Sequence, residues 1–372
     1  MSRLLQLPRE LRDEIIALVA FTSARAPESP EDLRHDKTKF RTLGVRGTQG
    51  GNPQHDFSSV ACTTSTPWSP TNTTLALLLT NRQLHAETRK LLATSPDSRT
   101  YEVDIMDADF GGPRAWVTWL CVPRRLTDVD TLVVNIRLFD KYPTDQPPPP
   151  DSYTQKRFLN ADMSLSYRLL LASILQNGPG AFNVTRLDYE AAFFIRRLVF
   201  RFQEPSKSPS PKAYSKNTLR PSDPAVIGPS ADGLHKWLTD FLRGDQDFQD
   251  GRIMHQGVGE MEVRVGNELR HSIINVTDSF CRLPNADSLW PLNLFEHRWE
   301  FERWVHGTIE KRKKWGLWDE SVQKKLIGDG EPECGLLIPG LWWTFVGDDW
   351  RTTGQLPGAR QVFPFGAQGD ND

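Results

Sequence analysis

Cysteine is scarce in this chain. Only four occur in 372 residues, at Cys62, Cys121, Cys281 and Cys334, too widely spaced for a disulfide framework. No CxxC pair is present, so a reducing intracellular compartment, cytoplasm or nucleus, is the expectation. Long hydrophobic runs are missing as well. A membrane span needs about 20 predominantly apolar residues, and no window supplies them, so no membrane association is expected. Net charge is almost nil: 45 Lys and Arg stand against 47 Asp and Glu. That balance leaves no electrostatic footprint for nucleic acid or an anionic surface. Hydrophobic residues reach 38%, below the usual share, yet twelve Trp and nineteen Phe remain to build a core. The deficit therefore points to long polar loops.

Catalytic signatures are scarce too. GVRGTQGG lacks the GK[ST] ending of a phosphate-binding loop and reads as loop, with no strand expected before it or helix after it. Asp104, Asp107 and Asp109 gather carboxylates that suit a hard cation, but an EF-hand loop from Asp107 would need Glu where Thr118 stands. The group reads better as a polar strand exit with a helix cap. The eight histidines form no HExxH and no zinc spacing, and His297 and His306 stand nine apart. GxSxG is absent, and Ser321 with Lys324 fits SxxK without its companion motifs. No catalytic, cofactor-binding or metal residue is assigned, and the expectation is a protein that is not an enzyme. The basic run KRKKW from Lys311 complements a helix C-terminus and reads as a charged, solvated face.

The chain is organised as an α+β or mixed α/β protein. Residues 22–71 are polar, rich in Gly, Pro, Ser and Thr, and read as a loop. TNTTLALLLTNRQLHAETRKLL reads as one helix with Leu77, Leu84, Leu91 and Leu92 on its inner face. RTYEVDIM reads as a strand and RAWVTWLCVPRR as a helix stopped by Pro123. TLVVNIRLF (131–139) and IRRLVFRF (195–202) are the clearest strands, with a helix at 164–177 between them. Residues 203–230 read as a mobile low-complexity loop, LHKWLTDFLRG as a helix and MEVRV as a strand. This order predicts crossover units with parallel pairing. Eight of the twelve Trp lie from Trp290 to Trp350. They fall on a largely helical stretch and on an edge strand at LLIPGLWWTFVG, before a frayed tail at 351–372.

The opening MSRLLQLPRELRDEIIALVAF carries too many charges for a signal peptide. It reads as a helix entered at Pro8, whose preset angle suits a first turn. Leu11, Ile15, Leu18 and Val19 share a stripe, while Ile16 lies further round. The apolar arc is wider than one buried face requires, which implies two surfaces to satisfy. LLQLPRELRDEIIALV resembles the first helix of F-box motifs, especially the divergent F-box-like family of filamentous fungi, through Leu7, Pro8, Glu10, Leu11 and Ile15. LLLTNRQLHAETRKLL is similar to the later F-box helices of that family, although residues 22–71 separate the two pieces. The resemblance implies an F-box-like helical region at 1–93, followed by an α/β body at 94–350. It further implies a substrate adaptor in which Leu7, Pro8, Leu11 and Ile15 meet a Skp-type adaptor of a cullin–RING ubiquitin ligase. The rest of the chain would capture a protein for ubiquitination. The alternative is a non-catalytic α/β protein in which these helices are only structural.

Overall fold

In a computed structural model of the chain, the described residues are 3–28, 40–43, 60–63, 73–109, 115–123, 126–140, 161–179, 191–203, 220–221, 224–243, 248–281, 283, 298–318, 322, 341–346 and 349–355. A 3-10 turn at Arg3–Gln6 leads into α1 (Arg9–Phe21). Strands β1 (Phe40–Leu43) and β2 (Val60–Thr63) follow, then α2 (Thr73–Thr80) and α3 (Arg82–Thr94). The body opens with β3 (Thr100–Asp109), β4 (Ala115–Cys121) and β5 (Asp128–Asp140). It continues through α4 (Ala161–Asn177), β6 (Phe194–Phe202), β7 (Arg220–Pro221), α5 (Pro224–Arg243) and α6 (Phe248–Gly257). Next come β8 (Val258–Val265), β9 (Glu268–Leu269), β10 (Ile274–Asn275), α7 (Val276–Cys281) and α8 (Arg298–Lys314). A separate hairpin of β11 (Leu341–Val346) and β12 (Asp349–Gln355) lies C-terminal to these.

One mixed sheet organises the molecule, in the order β1-β2-β4-β3-β5-β6-β8-β10, with β7 against β5 and β9 against β8. Its centre is parallel: β3 pairs β5, β5 pairs β6, and β6 pairs β8. The expected crossover through α4 is present, and the fold is α+β with N-terminal helices.

Period two explains why the centre is stable. Leu132, Val134, Ile136 and Leu138 of β5, with Leu198, Phe200 and Phe202 of β6, all enter one core. Ile174 and Leu175 of α4 and Leu234, Leu238 and Phe241 of α5 close over it. Each such side chain contributes about 1.5–3 kcal/mol on burial. The opposite face alternates charge instead. Arg197 pairs with Glu260 at 2.5 Å and Arg264 with Glu262 at 2.6 Å. Parallel sheets usually bury two apolar faces, so this ionic face is a departure.

Several sequence expectations change. RAWVTWLCVPRR is not a helix: Ala115–Cys121 is strand β4, buried at every position, which erases the alternation that marks a strand. The loop assigned to 22–71 contains β1 and β2, and β2 joins the main sheet beside β4. The mobile loop assigned to 203–230 contains β7 and the first turns of α5. There Pro224 occupies the first helical position, and Val226, Ile227 and Ser230 are buried despite Pro229. The frayed tail assigned to 351–372 begins as strand, since β12 runs to Gln355. The single helix expected after Thr71 is two, divided at Asn81, whose side chain accepts from the Leu84 N–H. GVRGTQGG, His297, Cys334 and the Ser321/Lys324 pair lie outside the described residues.

Candidate docking surface

Helix α1 starts where Pro8 can no longer donate, and the Pro8 carbonyl takes the first helical bond from Arg12 N at 3.2 Å. Its inner face is Arg12, Ile16 and Ala20, spaced four apart, with Ile16 wholly inaccessible. Arg12 is held from two sides. Its Nε and Nη2 donate to Glu87 of α3 at 3.1 and 2.6 Å, and Nη1 donates to the Leu7 carbonyl. On α3 the buried positions Leu84, Thr88 and Leu92 repeat the same four-residue spacing, and Gln83 steadies Glu87 at 3.1 Å. The hydrogen bond from Arg12 holds the Glu87 carboxyl below its ordinary pKa. Helix α1 packs on both α2 and α3.

The stripe read from sequence therefore faces away from the helix's own partners. Leu11 is 47% exposed and Leu18 65%, while Pro8 is exposed and Leu7 and Ile15 are half-buried. Of the four residues assigned to partner binding, Pro8 and Leu11 lie open, and Leu7 and Ile15 lie at the margin. Leu18 belongs to the same surface. The core position is Ile16, which the sequence placed off the stripe.

Behind α1 the chain is strapped to the sheet. The Phe21 carbonyl accepts from Cys121 Sγ at 3.8 Å, and Ala24 N donates to Leu120 O at 2.7 Å. Ser23 donates to Glu102 at 2.6 Å. Arg137 then clamps Asp104 through two bonds of 2.8 and 2.6 Å and reaches the carbonyl of Pro27 at 2.7 Å. Burial raises the Asp104 pKa, and Arg137 opposes that shift. Asp107 points to the other face, where Tyr167 Oη donates to it at 3.3 Å. Both are buried within β3, so the helix-cap reading fails, and the two carboxylates cannot share one cation. Among the described residues no group of three or more His, Cys, Asp or Glu could hold a metal.

The basic run on α8 is not a uniformly solvated face. Arg312 is fully buried and donates to the carbonyls of His255 and Val258 and to Thr277 Oγ1. Burial pulls its pKa down to about 10, against an opposing pull from Cys281. His255, also buried, donates from Nε2 to the Leu242 carbonyl at 3.0 Å. Desolvation and then Arg312 lower its pKa to about 3. These groups are enclosed and serve packing. His306 is exposed, and Trp304 and Trp318 are buried against Phe280. No helix of the described residues is long and apolar enough to cross a membrane. Comparison with known proteins finds no family model, no characterised relative and no solved structure that matches the chain.

Proposed function

We propose that the chain is a non-catalytic adaptor. In this reading α1 to α3 dock a Skp-type subunit of a cullin–RING ubiquitin ligase, and the α/β body captures the protein to be ubiquitinated. One observation carries it: α1 satisfies its own fold through Arg12, Ile16 and Ala20, yet keeps Leu11 and Leu18 uncovered on its opposite side. An apolar helix face of this kind is what helix-mediated docking uses. The buried thiols of Cys121 and Cys281, neither in a disulfide, fit the reducing interior of cytoplasm or nucleus.

The test is a pull-down with a purified Skp-type adaptor, run beside circular dichroism and a melting curve. Leu11→Glu with Ile15→Glu, and separately Leu11→Glu with Leu18→Glu, should abolish capture, because a carboxylate cannot be desolvated cheaply in an apolar contact. The second pair should leave the melt unchanged. Failure of the folded wild type to bind the adaptor overturns this reading and leaves the helices as part of the fold alone.

A further inference from the structure

On the far side of the sheet, the turn segment 266–273 runs from β8 to β10, carries β9 paired back on β8, and lies against α5. Two imidazoles meet there. His235 of α5 stacks on His271 of the turn with ring centroids 4.3 Å apart and planes inclined by 26°. Asp232, one helical turn before His235, anchors the second ring: His271 Nε2 is 2.8 Å from its Oδ1. Arg270 donates to the same carboxylate from Nε at 3.0 Å and Nη2 at 3.4 Å. His235 Nε2 is buried with no hydrogen-bond partner. The turn also carries Leu269 and Ile273, both open to solvent.

One positive charge on the pair has a counter-ion, because the Asp232 carboxylate lies 2.8 Å from one ring. Two are not accommodated, since cations stacked at this distance repel and the second has no carboxylate of its own. We propose that the His235–His271 stack is a proton-operated latch: one proton on the pair keeps the 266–273 turn on α5, and a second proton on His235 drives the rings apart and releases it. The charged groups acting on His235 are His271 of the turn and Asp232 of its own helix. On the other helices packed on α5, the titratable groups include Asp278 of α7 and His255 of α6. Facing the helix from β8 are the uncharged Met261 and Val263.

The pH window follows from the direction of the shift. Burial first, and His271 second, lower the His235 pKa below its ordinary 6.5, against the pull of the Ser272 backbone and Asp232. A released turn therefore binds the proton more readily than a docked one. The latch is fully closed above 6.5 and weakens as pH falls below that value toward the lowered one.

Hydrogen exchange of the full chain, followed by mass spectrometry at about pH 7.5 and about pH 5.5 and corrected for intrinsic rates, tests this. Protection of peptides covering 266–273 should fall at the lower pH, by at most about tenfold, while peptides from β5 and β6 stay unchanged. His235→Phe keeps a stacked ring without a proton and should abolish the response. Imidazole titration of the wild type by NMR gives a second readout that needs no variant. It should show His235 titrating below the ordinary imidazole value. Equal protection at both pH values, an undiminished response in His235→Phe, or His235 titrating at the ordinary imidazole value would overturn the proposal.

Discussion

Ile16 and Leu18 stand two residues apart on α1, similar in size and chemistry, and the fold treats them oppositely. Ile16→Ala removes buried methyl groups and should cost about 2–5 kcal/mol in urea unfolding. Leu18→Ser touches nothing inside and should stay within about 0.5 kcal/mol of wild type. The choice between them was not legible locally, because Arg12 occupies the inner stripe and its partner Glu87 lies 75 residues further on. A hydrophobic stripe points to the core only when nothing else supplies the core contact. That ion pair also sets an acid dependence. The Glu87 carboxyl has a folded pKa below its ordinary 4.5, so its contribution is complete above that value and is lost as pH falls through the folded one. Urea midpoints between about pH 7 and about pH 3 should drop less steeply for Glu87→Gln than for wild type.

Glycine plays opposite parts in β8 and α8. Gly259 in β8 lies where an added Cβ would come 2.4 Å from the Arg196 carbonyl of the neighbouring strand, which the backbone cannot yield without moving. Gly307 in α8 meets nothing within 4 Å. Gly259→Ala should therefore lower the melting temperature, whereas Gly307→Ala should add about 0.4–1 kcal/mol of stability. At this scale β5, β6, β8 and α4 were legible, since each shows one apolar face to the same core at its own period. Strand β4 was not, because burial on both faces removes alternation and leaves Trp, Val and Leu with no preferred reading. Helix α5 was half hidden by Gly228 and Pro229, residues that local rules assign to turns. Strands β1 and β2 had no signal of their own; β2 is specified by β4, over fifty residues away.

The strap decides whether the whole molecule behaves as one unit. Arg137→Ala would leave Asp104 buried without its partner and release the Pro27 carbonyl together. Breaking such a pair costs about 3–5 kcal/mol. Urea unfolding should register that loss, and limited proteolysis should then cut near residues 22–28 before reaching β5. A Lys at 137 restores charge without the two-pronged grip and should recover only part of it. Parallel pairing has a further consequence during synthesis. Strand β5 lacks its second parallel neighbour until β6 has been made, and β6 in turn waits for β8. At about 5–20 residues per second the ribosome needs roughly 6–25 s to pass from the end of β5 to the end of β8. Throughout that interval the apolar row from Leu132 to Leu138 leaves the exit tunnel with only part of its cover, which makes the nascent chain a natural client for a cotranslational chaperone.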